Sequence, residues 1–515
     1  MKTRSEMQMY PFIKSDGRCI LMREKMANAN PSKNFFCQML TRDIELKDAI
    51  MDLIDNCIDG AIRTKQKPPL DDDETYYEGF KILISLNSKR LTIEDNCGGI
   101  PYEIALNHAF RFGADERVHS DENALPTIGL YGIGMKRAIF KLGTSAIVTT
   151  RTKKDGTYKV TIPEDWMRQD NNWEFPVERT DEAVLKADGT KVEIHLKKDI
   201  EEFSSSFLEK FVNDLNRTIQ EHFSVIMQKG LEIMLNGSSL SAEPISFLFS
   251  ASDDARSTDN KQRYAPYLFS AKIDEVEVRL AVGFYGKKTM PDQEDIEKEL
   301  EGTERSSQDA GWTVICNDRV VLYNNKDHLT GWGENGVPKY HTQFVGIKGI
   351  VSFRSNDPSL LPTTTSKRGI NANSRVYALA KKRMCEGLKK FTDYTNKWKG
   401  QEKREKQQTL QTPLKSSQLF LRSHEDVGKK LNIQFSTTRR PEEENGSLFN
   451  PVLPLPATES RDARIVFFRP KKDVDFLIKN LVGEGEELSP SEVGEYCFDR
   501  VIKDLRNGDN LDGRV

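Results

Sequence analysis

From Ala49 to Arg63 apolar residues recur at three- and four-residue spacing, so Ile50, Leu53, Ile54, Cys57, Ile58 and Ala61 line one side of a predicted helix. The other side carries Asp52, Asn56, Asp59 and Arg63, where a solvated face ordinarily mixes in Lys, Glu and Gln. Upstream, Phe35, Phe36, Met39 and Leu40 are expected to pack beneath this helix. Downstream, the acidic, proline-bearing stretch 68–78 reads as a surface loop, and the period then changes to two. A hairpin is expected over 80–95, in which Leu91 and Ile93 lead Asp95 into a turn at Gly98 and Gly99. A strand pair follows over 145–162 around Lys154-Asp155-Gly156, then a strand over 190–196. Helices on one face of a mostly antiparallel sheet give an α+β sandwich.

Beyond Ile200 the pattern predicts a long helix over 207–228, a strand ending in Asn236-Gly237, and strand-like runs at 275–285 and 312–323. Val376, Ala380, Met384, Leu388 and Phe391 predict a helix over 374–399. Residues 401–456 are charged, then Ser/Thr-rich, then proline-rich, and read as a linker. Periodicity returns with a strand at 465–468 and helices around 473–481 and 491–505. The organisation expected is an arm over 1–30, an α+β domain over 31–200, a second domain over 201–400, a linker over 401–460 and a small α/β module over 461–515.

A chain of 515 residues with 37% hydrophobic content can build several real cores. The net charge of −3 does not mark the whole chain as a nucleic-acid binder. Between Ser366 and Lys390, however, eight Lys or Arg stand against one Glu, a local patch that could face nucleic acid. Seven scattered cysteines without C-x-x-C spacing indicate neither a disulfide framework nor a zinc site, and point to a reducing, cytoplasmic setting. No apolar run approaches the roughly 18 residues of a membrane span.

The candidate chemistry lies in four short stretches. Asp95, at a strand end beside glycines, can accept a hydrogen bond from an exocyclic amine. Gly129, Gly132 and Gly134 leave backbone N–H groups free where a helix starts, which is where phosphates bind. The segment is not a P-loop, because Gly134 is followed by Met135 and Lys136 without a Lys-Ser or Lys-Thr pair.

Taken in order, D-x-x-x-N-x-x-D, then D-N-x-G-G, then G-x-x-G-x-G-x-K, then Asp188-Gly189-Thr190 resembles the GHKL superfamily of ATPases: DNA gyrase B, the ninety-kilodalton heat-shock chaperone, MutL, MORC proteins and histidine kinases. In look the chain is nearest to MORC-like and chaperone-like prokaryotic members. The resemblance implies the Bergerat α/β sandwich followed by a transducer-like domain, with ATP and Mg²⁺ as ligands. It puts Asn56 on Mg²⁺, Asp95 on the adenine amine, and Gly99 and Thr190 at the adenine end. Asp59 would complete the nucleotide site, and Gly129, Gly132, Gly134 and Lys136 would hold phosphates under a lid over 105–123. Two positions depart from the pattern: Asp52 stands where the family's catalytic base is usually Glu, and Cys97 replaces a turn glycine. The run GWTVICNDRVVLY resembles the transducer domain, whose γ-phosphate lysine would be Lys367 in the loop 360–370, with Arg368 as competitor. The activity implied is slow ATP hydrolysis in a clamp that homodimerises on ATP and acts on a protein or nucleic-acid client. A non-hydrolysing switch or scaffold is the alternative. A histidine kinase would need a phosphoacceptor His upstream, and no His precedes His108.

Overall fold

The computed structural model describes residues 10–13, 19–22, 32–70, 73–112, 125–126, 128, 133–168, 172–181, 184–201, 205–242, 244–249, 264–285, 309–364, 367–400, 414–438, 440–456, 468–481 and 489–506. The chain forms two compact units, 1–456 and 457–515. In the first, strands β1 (Tyr10–Ile13) and β2 (Cys19–Met22) pair as a separate hairpin. Helices α1 (Lys33–Thr41) and α2 (Leu46–Lys65) lead into β3 (Lys81–Leu86) and β4 (Arg90–Asp95). Next come a short α3 (Tyr102–Ile104) with a π-turn over Ala105–Ala109, α4 (Gly134–Leu142), β5 (Gly143–Thr152), β6 (Gly156–Ile162), β7 (Val177–Arg179) and β8 (Gly189–Leu196). After α5 (Lys198–Glu201), α6 (Ser205–His222) and α7 (Ser224–Gln228), strands β9 (Glu232–Leu235) and β10 (Ser238–Ser239) close an eight-stranded sheet, ordered β10-β9-β3-β4-β8-β5-β6-β7.

The α+β sandwich is as expected. Helix α2 begins where Glu45 and Asp48 cap each other's backbone N–H groups and ends on Gln66 in the left-handed conformation. Its Ile50, Leu53, Ile54 and Ile58 share a core with Ile82, Ile84, Leu91, Ile93 and Ile139 of the sheet and α4. Each such side chain removed from water contributes about 1.5–3 kcal/mol. The packing expected of α1 is only half right: Phe35 and Met39 are 59% and 54% exposed, and Cys37 and Lys33 are the buried positions. Lys33 offsets its burial by donating to the Trp166 carbonyl at 2.9 Å and lying 3.8 Å from that ring's centroid. The long helix expected over 207–228 breaks at Phe223, whose φ of −110° and ψ of 14° separate α6 from α7. The strand expected to end in Asn236-Gly237 as part of the second domain is β9, and it belongs to the first sheet together with β10, which the pattern did not predict.

The second sheet has seven strands, ordered β15-β14-β16-β13-β12-β19-β18. They are β12 (Tyr267–Ile273), β13 (Val276–Phe284), β14 (Gly311–Cys316), β15 (Arg319–Asn325), β16 (Ile347–Arg354), β18 (Ser436–Thr437) and β19 (Glu444–Phe449). Between these in sequence, β11 (Ser246–Leu248) pairs with β17 (Leu414–Ser416) apart from the sheet. Helix α8 (Arg375–Trp398) packs Tyr377, Ala380, Met384, Leu388 and Phe391 against Val278, Leu280, Val282 and Phe353.

Three expectations are corrected here. The run 312–323 is a hairpin, because Asn317 and Asp318 adopt φ of 46° and 65° and turn the chain in two residues. The linker expected over 401–460 is instead folded where described: α9 (Ser417–Phe420) and α10 (His424–Leu431) bury Phe420, Leu421, Val427 and Leu431, and β19 joins β12. Its apolar residues fall in short clusters such as Leu419-Phe420-Leu421 between polar stretches, too brief to show a helical period. The basic stretch 366–390 is largely committed internally. Arg383 pairs with buried Glu443 at 2.6 Å, Lys381 with Glu334 at 2.8 Å, Lys389 with Asp393 at 3.2 Å, and Arg375 with Asp274.

The second unit shows α11 (Lys471–Leu481) and α12 (Pro490–Arg506). The strand expected at 465–468 lies outside the described residues except for Phe468, which is exposed and in no strand.

Candidate functional site

The polar row of α2 is not a wet face. Asp52, Asp55 and Asp59 are 3%, 1% and 5% exposed, while Asn56 and Arg63 stay open to solvent. A buried carboxylate must be paired or hydrogen-bonded, and each of the three has a distinct partner. Asp52 Oδ2 accepts from Arg137 of α4 through Nε at 3.1 Å and Nη2 at 2.5 Å. Asp55 lies between two cations from beyond the first sheet, one opening β15 and one on the loop after β16: Arg319 Nε donates to Oδ1 at 2.9 Å and Lys367 Nζ to Oδ2 at 3.0 Å. Lys367 also lies 3.7 Å from Asp52 Oδ1. Asp59 Oδ1 accepts from the Ile128 N–H at 2.6 Å, tying α2 to the chain just ahead of the glycine segment.

The two neighbouring carboxylates are tuned in opposite directions. Burial pushes the Asp52 carboxyl above its ordinary value, against the pull of Lys367 and Arg137. Burial acts on Asp55 too, but Lys367 and Arg319 together outweigh it and hold Asp55 below the usual carboxylate range. Lys367 answers in kind: burial would lower it, yet Asp55, Asp52 and Asp59 raise it, so it stays charged. A carboxylate pushed up is the better proton acceptor and one held down is a fixed charge. The sequence reading did not select Arg319, Arg137 or Asp55 as site residues. The Asn317-Asp318 pair just ahead of Arg319, a turn signal, was the one local sign of a hairpin delivering Arg319 to this place.

At the other end of α2, Asp95 closes β4. Its Oδ1 accepts from the N–H groups of Cys97 at 2.8 Å and Thr190 at 3.3 Å. Burial nevertheless raises its pKa, with those two amides and the Cys57 thiol opposing. Gly99, at φ 73°, admits no side chain, because a Cβ would stand 2.1 Å from the Arg151 carbonyl. The Thr190 hydroxyl lies 3.3 Å from that of Thr150, which also accepts from the Ile100 N–H at 2.8 Å. Asp95, Gly99 and Thr190 are thus assembled in one corner, with Thr150 as a member that sequence reasoning missed.

Gly134 opens α4 against Asp52, a Cβ there lying 3.5 Å from the carboxyl carbon. Lys136 is 2% exposed and donates from Nζ to the Ala109 carbonyl at 2.9 Å, and burial lowers its pKa to about 8. Gly129, Gly132 and most of the lid expected over 105–123 lie outside the described residues, the lid from 113 onward. Among the described residues no helix is long and apolar enough to cross a membrane.

With this geometry in hand, a family model described as histidine kinase-, DNA gyrase B- and HSP90-like ATPase matches residues 44–202. The match starts two residues ahead of α2 and ends just after the eight-stranded sheet's β8 and α5. No curated protein matches the chain.

Proposed function

We propose, from the GHKL-type ATPase domain that residues 44–202 form, that the chain is an ATP-operated clamp: ATP closes two copies through their N-terminal domains and hydrolysis reopens them. The observation that carries this reading is Lys367. A residue of the second domain reaches two buried carboxylates on the helix that presents Asn56, so nucleotide chemistry on α2 and the position of the second domain share one set of charges.

The residues fit Mg²⁺-ATP. Asp95 offers a carboxylate already oriented by two amides, and adenine recognition needs one charged acceptor. Asn56 offers a single exposed oxygen, which suits an ion that keeps most of its shell as water and phosphate. Bound there, the ion would neutralise phosphate charge. Asp52 takes the proton of the attacking water: its Oδ2 is occupied by Arg137, and its Oδ1, facing Lys367 at 3.7 Å, is the oxygen left for water. Lys367 stabilises the charge that develops on the γ-phosphate. Lys367→Ala therefore slows turnover while leaving ATP affinity nearly intact. Arginine fingers in comparable roles set an upper bound of about 10³–10⁵ in rate. Calorimetry and steady-state hydrolysis on the same variant read both, and a parallel loss of affinity would remove Lys367 from the chemistry.

One observation favours a second reading. The double hold of Arg137 on Asp52 restrains the base, as suits a non-hydrolysing switch or interaction scaffold. Turnover at or below background in the parent, with ATP bound, selects it. The client of either device is a protein or a nucleic acid, and the internal pairing of the cations in 366–390 weakens the case for nucleic acid.

A further inference from the structure

Arg319 sits on the far side of Asp55 from Lys367. It is 1% exposed and is anchored independently of that carboxylate: Nη1 donates to the His222 and Val320 carbonyls at 3.2 and 2.8 Å, and its guanidinium lies 4.2 Å from the Phe223 ring centroid. Lys367 is held differently. It stands on a loop residue at φ 55°, its side chain is 13% exposed, and its Nζ is shared between Asp55 and Asp52. One cation is therefore fixed in the wall and the other is mounted on a loop, both on one buried carboxylate.

We infer that Arg319 is a positioning residue for Lys367: by sharing the charge of Asp55 it allows Lys367 to leave that carboxylate for the γ-phosphate. This rests on the ATPase reading above. An ionised carboxylate left alone in the interior is strongly disfavoured, and removing one partner of a buried pair costs far more than the pair contributes. With Arg319 in place, Asp55 remains paired when Lys367 departs. Without it, Lys367 becomes the sole partner of Asp55 and is locked away from the nucleotide. The arrangement accounts for two cations on one carboxylate, where one would neutralise it.

A double-mutant cycle in the full chain tests this, with ATP affinity by calorimetry and kcat at saturating ATP. Arg319→Met keeps ATP affinity within about threefold and lowers kcat roughly tenfold or more. Adding Asp55→Asn to Arg319→Met removes the trap and restores most of the lost rate, a reversal that a merely structural arginine would not show. Arg319→Lys, which keeps the charge, stays close to the parent. If the double variant is as slow as Arg319→Met, the inference is overturned. Should Arg319→Met fail to fold, the double variant still decides: kcat within about threefold of the parent supports the exchange, and a loss matching Lys367→Ala overturns it. A parent that binds no ATP overturns the ATPase reading and the inference together. A parent that hydrolyses ATP at the same rate as every Arg319 variant overturns the inference alone.

Discussion

Asp52 and Asp55 are three residues apart on one helix and share Lys367, yet burial wins at one and paired cations win at the other. In the proposed clamp Asp52 is the base, and the contrast with Asp55 agrees with that role. Asp52→Asn keeps the shape and removes the base, so ATP binding should survive and turnover fall to background, measured by calorimetry and phosphate release. Unchanged turnover would exclude Asp52. Asp52→Glu moves the carboxylate about 1 Å or more, a misplacement that can change rate by roughly 10²-fold, and its sign reports whether the pocket is shaped around Asp. Asp95→Ala belongs to the same scale. It removes the acceptor for two backbone amides as well as for the ligand, so ATP binding should weaken by about 1–3 kcal/mol or more. A calorimetric trace matching the parent would break the adenine assignment. Asp52, Asn56, Asp59 and Asp95 were visible in the sequence because each belongs to a local pattern. Arg137 and Arg319 were not, because they reach α2 across 85 and 264 positions and charge pairing at that separation leaves no periodic signature.

Helices and strands reproduce the same lesson. Helix α2, the hairpin β3–β4 and helix α8 follow periodicity, whereas the break at Phe223 and the two-residue β14–β15 turn are set by single backbone conformations that a periodic pattern does not mark. The tip of that hairpin is buried: Asp318 pairs with Lys229 at 2.9 Å and with Arg354 at 2.7 Å, and those two cations also donate to the Leu70 and Pro69 carbonyls. Removing the carboxylate leaves buried Lys229 and half-buried Arg354 without their shared anion, so Asp318→Ala should lower stability by about 3–5 kcal/mol, read from denaturant unfolding. Helix α6 adds a pH dependence. His222, 7% exposed, donates from Nδ1 to the Val320 carbonyl, and burial, with Arg319 second, pushes its pKa down to about 3. Between about pH 6.5 and 3 the unfolded chain holds a proton at this ring that the folded chain does not. Stability contributed by the neutral ring is complete above that window and is lost as pH falls through it, at up to about 1.4 kcal/mol per pH unit. His222→Gln should flatten that slope in urea melts taken across the window, and an equal slope would show the ring to be protonated when folded.

The first unit joins two sheets through one charged seam: Asp52 and Asp55 on α2, Arg137 on α4, Arg319 on β15 and Lys367 on its loop. A seam of this kind can take two arrangements, because moving one cation re-pairs the others instead of deforming the packed cores on either side. ATP can shift such an equilibrium only by its differential affinity for the two arrangements, and in the proposed clamp the γ-phosphate competes with Asp55 for Lys367. ADP lacks that group, so it should leave the seam as described and a non-hydrolysable triphosphate analogue should not. If closing the seam exposes the surface on which two copies meet, light scattering gives the monomer mass with ADP and twice that mass with the analogue. Lys367→Ala should bind the analogue and remain monomeric, because the cation that reads the γ-phosphate is gone. Equal masses with both nucleotides in the parent would separate ATP binding from assembly and leave the scaffold reading in its place.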